Sequence, residues 1–385
     1  MNKTELLKTF QEIFGEGGDI RCFHAPGRVN IIGEHTDYNG GYVLPCAINM
    51  GTTALIRLRN DNLIRLASCN FDLTVDVDVN NITYDKSHDW ANYPKGMVHL
   101  LREAGHDICG FEVLFYGNLP NGAGLSSSAS IEVVMGTALR GIFNLNIEPI
   151  ELAKLAQQCE NEFIGVNCGI MDQFVVAMGQ RDAAIFLQCD TLKYRVVPLN
   201  LGDYRFIIMN TNKRRTLAHS KYNERRGQCE AAVAALNNEM NIKNLTDVDM
   251  AAFETYAHLI KDETIRKRAR HVITENQRVL DATAALDAGN LCALGKLMAA
   301  SHTSLRDDYE VTGIELDTIV EEAMKIPDTL GARMTGAGFG GCAIALVNQS
   351  SIAHFIDIVG KNYESKIGYP PAFYVAETGD GAGEQ

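Results

Sequence analysis

Polar and apolar positions alternate at helical spacing over the opening segment MNKTELLKTFQEIF, which contains no continuous apolar stretch. That pattern predicts an amphipathic helix rather than a secretory leader. Over residues 20–120 it gives way to short strand-like runs bounded by turn residues: GGYVLPCAI at 40–48, NLIRLAS at 62–68 and GFEVLFYGNLP at 110–120. From Ser126 a helical period returns. Ile131, Val134, Met135, Ala138 and Ile142 share one face, and Leu152, Leu155, Ala156, Cys159 and Phe163 form the stripe of a second helix. YRFIIMN at 204–210 reads as a strand, and several long helices are expected after it. ARMTGAGFGGCAIALV at 332–347 leads into another strand, and PAFYVAE at 371–377 is the closing one. Strands and helices are grouped rather than strictly alternating, so the expected class is α+β and not a doubly wound parallel sheet. A chain of 385 residues is long for one core, and two domains are expected, 1–200 and 201–385.

Three segments carry candidate chemistry. NGAGLSSSAS at 121–130 stands between a strand and the start of a helix, where small residues let the backbone approach a ligand. Exposed N–H groups and the helix dipole at such an end favour a phosphate, although no Gly-Lys-Ser/Thr closes the loop as in a Walker A motif. A serine-capped helix after a glycine turn is the structural alternative. TGAGFGG at 335–341 fits G-x-G-x-x-G, but strand-like CAIALV follows it, so a dinucleotide fold is not expected. APGRVNIIGEHTDYNGG at 25–41 packs Arg28, Glu34, His35 and Asp37 into one short stretch. Two carboxylates and an imidazole there can hydrogen-bond a polyol, whose hydroxyls both donate and accept. A polar surface loop is the alternative; a metal site matches no familiar ligand spacing.

The formal net charge of −13 argues against nucleic acid or an anionic membrane as partner. It also requires that any phosphate ligand meet locally concentrated positive groups, with Arg28 and the run from Lys213 to Arg226 as candidates. No apolar run reaches the roughly 18 residues of a membrane span. Ten scattered cysteines without a CxxC pair read as reduced thiols, and a cytoplasmic location is expected. Trp90, the single tryptophan, reads either as a nucleotide-pocket wall or as a packing anchor.

Taken in order, APGRVNIIGEHTDYNGG, NGAGLSSSAS, CGIMDQ at 168–173 and GARMTGAGFGGC resemble the GHMP kinase superfamily and, within it, the galactokinase family. The resemblance implies an N-terminal domain like the second domain of ribosomal protein S5, a ferredoxin-like C-terminal domain, and a site between them. It implies transfer of phosphate from ATP to the anomeric hydroxyl of galactose. Glu34, His35, Thr36, Asp37 and Tyr222 would bind the sugar, and Gly122, Ala123, Gly124, Leu125, Ser126, Ser127 and Ser128 the ATP phosphates. Ser128 and Glu160 would hold Mg²⁺, Asp172 would receive the proton, and Arg28 would stabilise the transferring group. No protein partner is implied. A kinase for a related sugar, such as N-acetylgalactosamine or arabinose, and a non-catalytic galactose sensor are the alternatives. Glu160 follows Cys159 by about 100° around a helix and can leave the apolar stripe; a solvated face is its structural alternative. For Asp172 the alternative is a carboxylate that only offsets a helix dipole. For Lys213, Arg214 and Arg215 a solvated face is the better reading.

Overall fold

The computed structural model describes residues 1–120, 124–213 and 218–385. The strand-like runs of the first third form a six-stranded sheet in the order Gly383–Glu384, Arg21–Asn30, Pro45–Leu58, Phe111–Gly117, Leu63–Ser68 and Val75–Asp78. Its pairs are antiparallel except Leu63–Ser68 with Phe111–Gly117. That parallel pair needs a crossover, which the helix Asn92–Glu103 supplies. A four-stranded antiparallel sheet comes next, in the order Thr329–Thr335, Cys342–Asn348, Tyr204–Asn210, Ala372–Ala376. The strand after TGAGFGG is therefore real, as its apolar run indicates. A small sheet of Tyr42–Val43, Ala183–Gln188 and Lys193–Pro198 lies beside them.

One apolar cluster fixes the site. Val29, Ile31 and Ile32 of the first signature segment pack with Phe206, Ile208, Cys342 and Ile344 of the four-stranded sheet and with Val279 of the helix Glu263–Asp287. The three signature side chains are fully buried, and each such burial contributes about 1.5–3 kcal/mol relative to exposure. Apolar residues thus press the adjoining polar stretch, Glu34 to Asp37, against elements that lie hundreds of residues later.

Two features depart from the periodicity. The second helix is α-helical only over Pro149–Gln158, then widens into a π-turn over Cys159–Ile164 that ends on Gly165 at φ 88°. A π-turn adds a residue to the turn and rotates the side chains beyond it, so Glu160 faces inward and is 9% exposed rather than solvated. The chain also does not finish at PAFYVAE. Residues 378–385 run back to the first sheet, where Gly383–Glu384 pairs with Arg21–Asn30 and Glu384 accepts two bonds from Arg21. Trp90 packs in the core of the six-stranded sheet, edge-on to Phe115 at 5.7 Å. No helix among the described residues is long and apolar enough to cross a membrane.

Candidate active site

The helix Ser127–Ile142 begins after Ser126, whose backbone is left-handed (φ 64°, ψ 44°), so the chain turns sharply into the helix, and the Ser126 side chain makes no cap bond to its first N–H groups. Arg28 fastens this loop to the first signature segment. Its Nη1 donates to the Gly124 carbonyl at 2.7 Å, and its own amide donates to the Leu125 carbonyl at 3.2 Å. The rest of the guanidinium grips Asp172 bidentately, Nε to Oδ1 at 2.8 Å and Nη2 to Oδ2 at 2.7 Å. Arg28 is thus not an unpaired cation among apolar residues, and Asp172 is more than a dipole-offsetting carboxylate of the helix Met171–Met178.

Glu34 is fixed from the far end of the chain. It accepts the Gly336 amide at 2.7 Å and Arg333 Nη1 at 3.4 Å, while the Gly33 and Glu34 amides donate to Glu275. Gly336 itself has φ 85°, and a Cβ there would stand 2.9 Å from the Gly124 carbonyl, so this glycine lets the third motif touch the phosphate-loop segment. Likewise a Cβ on Gly169 would collide with the Asp37 carboxylate.

Arg28, Glu34, His35, Asp37, Gly124, Ser126, Ser127, Ser128, Glu160, Asp172 and Tyr222 line one cavity of about 650 Å³. Among the described residues Arg28 is the one Lys or Arg lining it. Thr36 does not line it; its hydroxyl donates to the Gly33 and Tyr42 carbonyls and holds the turn. Leu125 is buried and reaches the site only through its carbonyl. Gly122 and Ala123, like Arg214 and Arg215, lie outside the described residues. Lys213 pairs with Glu315 at 2.8 Å, and Arg225 is buried, donating to the Tyr309 and Glu310 carbonyls.

Burial sets the electrostatics. It pushes the Glu160 carboxyl up to about 7, with the Asp172 charge adding to the rise and Ser128 and Cys168 opposing it by hydrogen bonding. Asp37 likewise rises to about 7 through burial and the nearby Asp172. Burial raises Glu34 against the pull of Arg333 and Arg28, and drives His35 down to about 3, so its imidazole is neutral. Sequence reasoning missed Tyr93 and Cys168 on the wall, and Glu132 and Gln173 behind it. Glu132 is fully buried beside Glu160, with Cys159 and Gln173 near its carboxyl, and burial raises its pKa well above the usual carboxylate range. A lone acid in the apolar run ASIEVVMG was a readable signal for it.

The oxygens of Ser128 and Glu160 suit a hard cation such as Mg²⁺, and the carboxyls crowded at this end need positive charge. The helix start at Ser127 and the Arg28 guanidinium suit phosphate, while the Glu34, His35, Asp37 and Tyr222 side chains offer hydrogen bonds to hydroxyls.

Residues 8–58 match the galactokinase galactose-binding signature, 92–180 the GHMP kinase N-terminal domain and 282–365 the GHMP kinase C-terminal domain. The chain is 52% identical to a galactokinase of Streptococcus thermophilus over 99% of both chains, and 54% identical to one of Enterococcus faecalis over 98% of both. It is similar to the crystal structure of Lactococcus lactis galactokinase complexed with galactose, at TM-score 0.97 and 48% identity over 99% of both chains. A Methanococcus jannaschii mevalonate kinase shares the fold at TM-score 0.67 and 21% identity, over 94% of this chain and 99% of that one.

Proposed function

The chain belongs to the galactokinases, a family of GHMP kinases, and from that premise we propose that it transfers the γ-phosphate of ATP to the anomeric hydroxyl of α-D-galactose. The products are galactose 1-phosphate and ADP. The observation that carries this reading is the Arg28–Asp172 pair, which stands in one cavity between the sugar-type residues and the phosphate loop. The galactose hydroxyls pair with Glu34, His35, Asp37 and Tyr222, leaving the anomeric oxygen toward Asp172. That oxygen forms the new bond to phosphorus as the bond from phosphorus to the ADP oxygen breaks, and its proton passes to Asp172. Both carboxylate oxygens already accept from Arg28, which holds Asp172 in fixed position, and a loose transition state calls for proton transfer only late. Arg28 neutralises charge on the moving phosphoryl group.

Ser126 to Ser128 and the first amides of their helix hold the phosphates, and Ser128 with Glu160 would hold Mg²⁺. Bound there, the ion supplies neutralisation of the phosphate oxygens. We assign the division into domains near residue 200 and, because the reaction needs ATP and the thiols are free, a cytoplasmic location. Purified protein with ATP, Mg²⁺ and a panel of hexoses tests the reading: ADP release is expected with galactose ahead of N-acetylgalactosamine and arabinose. No galactose-dependent ADP overturns it, and galactose binding without turnover favours a sensor.

A further inference from the structure

We infer that Tyr38 and Tyr309 are positioning residues for the sugar, fixing His35 as the tautomer that presents Nε2–H to the cavity. The inference rests on galactose being the substrate. His35 Nδ1 lies 2.9 Å from the Tyr38 hydroxyl, that hydroxyl lies 2.7 Å from the Tyr309 hydroxyl, and the latter lies 3.1 Å from Cys229 Sγ. Three separate elements supply the chain: the turn Asp37–Asn39, the π-turn Leu305–Tyr309 and the helix Ala218–Leu236. Neither tyrosine is among the residues that line the active-site cavity.

The ends of this hydrogen-bond chain set its direction. A thiol is a poor acceptor but can donate, so Cys229 donates to Tyr309, Tyr309 to Tyr38, and Tyr38 to Nδ1. The reverse order would end a phenol O–H on sulfur and leave the imidazole nitrogen without its strongest donor. With Nδ1 accepting, the proton sits on Nε2, which is buried and has no hydrogen-bond partner among the described residues, so a sugar hydroxyl can satisfy it. The rings are clamped as well. His35 packs 4.7 Å from Tyr309 and 5.6 Å from Tyr222, and His271 closes the other side of Tyr309 at 4.5 Å. His271 is tied in turn to Ser304 and to the Glu34 carbonyl, and Arg225 holds the Tyr309 carbonyl. Burial keeps His35 neutral, so only the tautomer decides what the sugar meets.

The closing experiment has two arms. In ¹⁵N-histidine-labelled wild type without ligand, the His35 ring, assigned by its loss in His35→Gln, is expected as the Nε2–H form; in Tyr38→Phe it becomes a mixture or inverts. An Nδ1–H ring in wild type overturns the inference with no variant needed, and so does an unchanged ring in Tyr38→Phe. In the kinetic arm, Tyr38→Phe raises the KM for galactose about five- to tenfold, the scale of one hydrogen bond, with kcat and the KM for ATP little changed. Across monodeoxy-galactoses, the sugar lacking the hydroxyl that meets His35 shows no such rise while the others do. A uniform rise means a merely structural role and overturns the inference. Wild type that turns over no galactose defeats the functional reading instead, and the tautomer arm still stands.

Discussion

At the sugar end of the cavity, Glu34 is already held by Gly336 and Arg333, the Gly33 amide by Glu275, and His35 by Tyr38. At the phosphate end, Glu160 is held by Gln173 at 2.8 Å, but Glu132, Glu160 and Asp172 stand near one another with Arg28 as the one lining cation among the described residues. The first end is completed by the fold. At the second, burial and mutual repulsion push the Glu132 and Glu160 carboxyls toward the protonated form, and a cation entering with the nucleotide would favour the charged form of Glu160. The difference suits a kinase: hydroxyl recognition needs fixed geometry, whereas phosphoryl transfer needs charge brought in at the right moment.

The sharpest way to separate the ends is to strike where they meet. Asp172→Ala is expected to lower turnover by more than about 10⁴-fold, the top of the range for a lost general base, because it also leaves Arg28 unpaired. Galactose binding, read by calorimetry, should be partly retained. Near-normal turnover would assign the proton elsewhere. Arg28→Ala should cost on the order of 10³-fold in turnover, as for other arginines that serve a phosphoryl transition state.

Glu160→Gln comes next and touches one end only. The Mg²⁺ concentration needed for half-maximal rate should rise at least about tenfold while the KM for galactose stays put. A shifted sugar KM with unchanged metal dependence would reverse the assignment of the two ends.

The smallest effect belongs to Asp37. In the free protein burial and the nearby Asp172 push its carboxyl up to about 7. Sugar hydroxyls donate to the charged form, so binding lowers this pKa and releases a proton. Affinity should therefore rise with pH up to about 7 and level off above it. Calorimetry in buffers of different ionisation heat measures the released proton, and Asp37→Asn should abolish it.

Local features were legible in the chain. The serine-rich loop before Ser127 announces itself because the glycine turn, the serines and the helical period are contiguous, and the strand after Gly341 shows in its own apolar run. The fastening of Glu34 does not, since its partners Gly336 and Arg333 lie about 300 residues away and look like ordinary parts of a strand and a turn. Thr36 sits within a stretch of polar side chains, yet its hydroxyl is spent on the turn. Periodicity at 100° per residue carries no warning that the helix widens after Gln158, which decides where Glu160 points. Nor does it show that residues after 377 return to the first sheet, because a two-residue strand has no period.

The most direct test of the account is galactose calorimetry on the wild-type protein, first with chelator and no nucleotide, then with Mg²⁺ and a non-hydrolysable ATP analogue. The account predicts nearly equal galactose affinity in both, while affinity for the analogue falls at least about tenfold when Mg²⁺ is withheld. Galactose that binds only after the metal and nucleotide are in place would contradict it, because the sugar end would then not be complete in the folded chain.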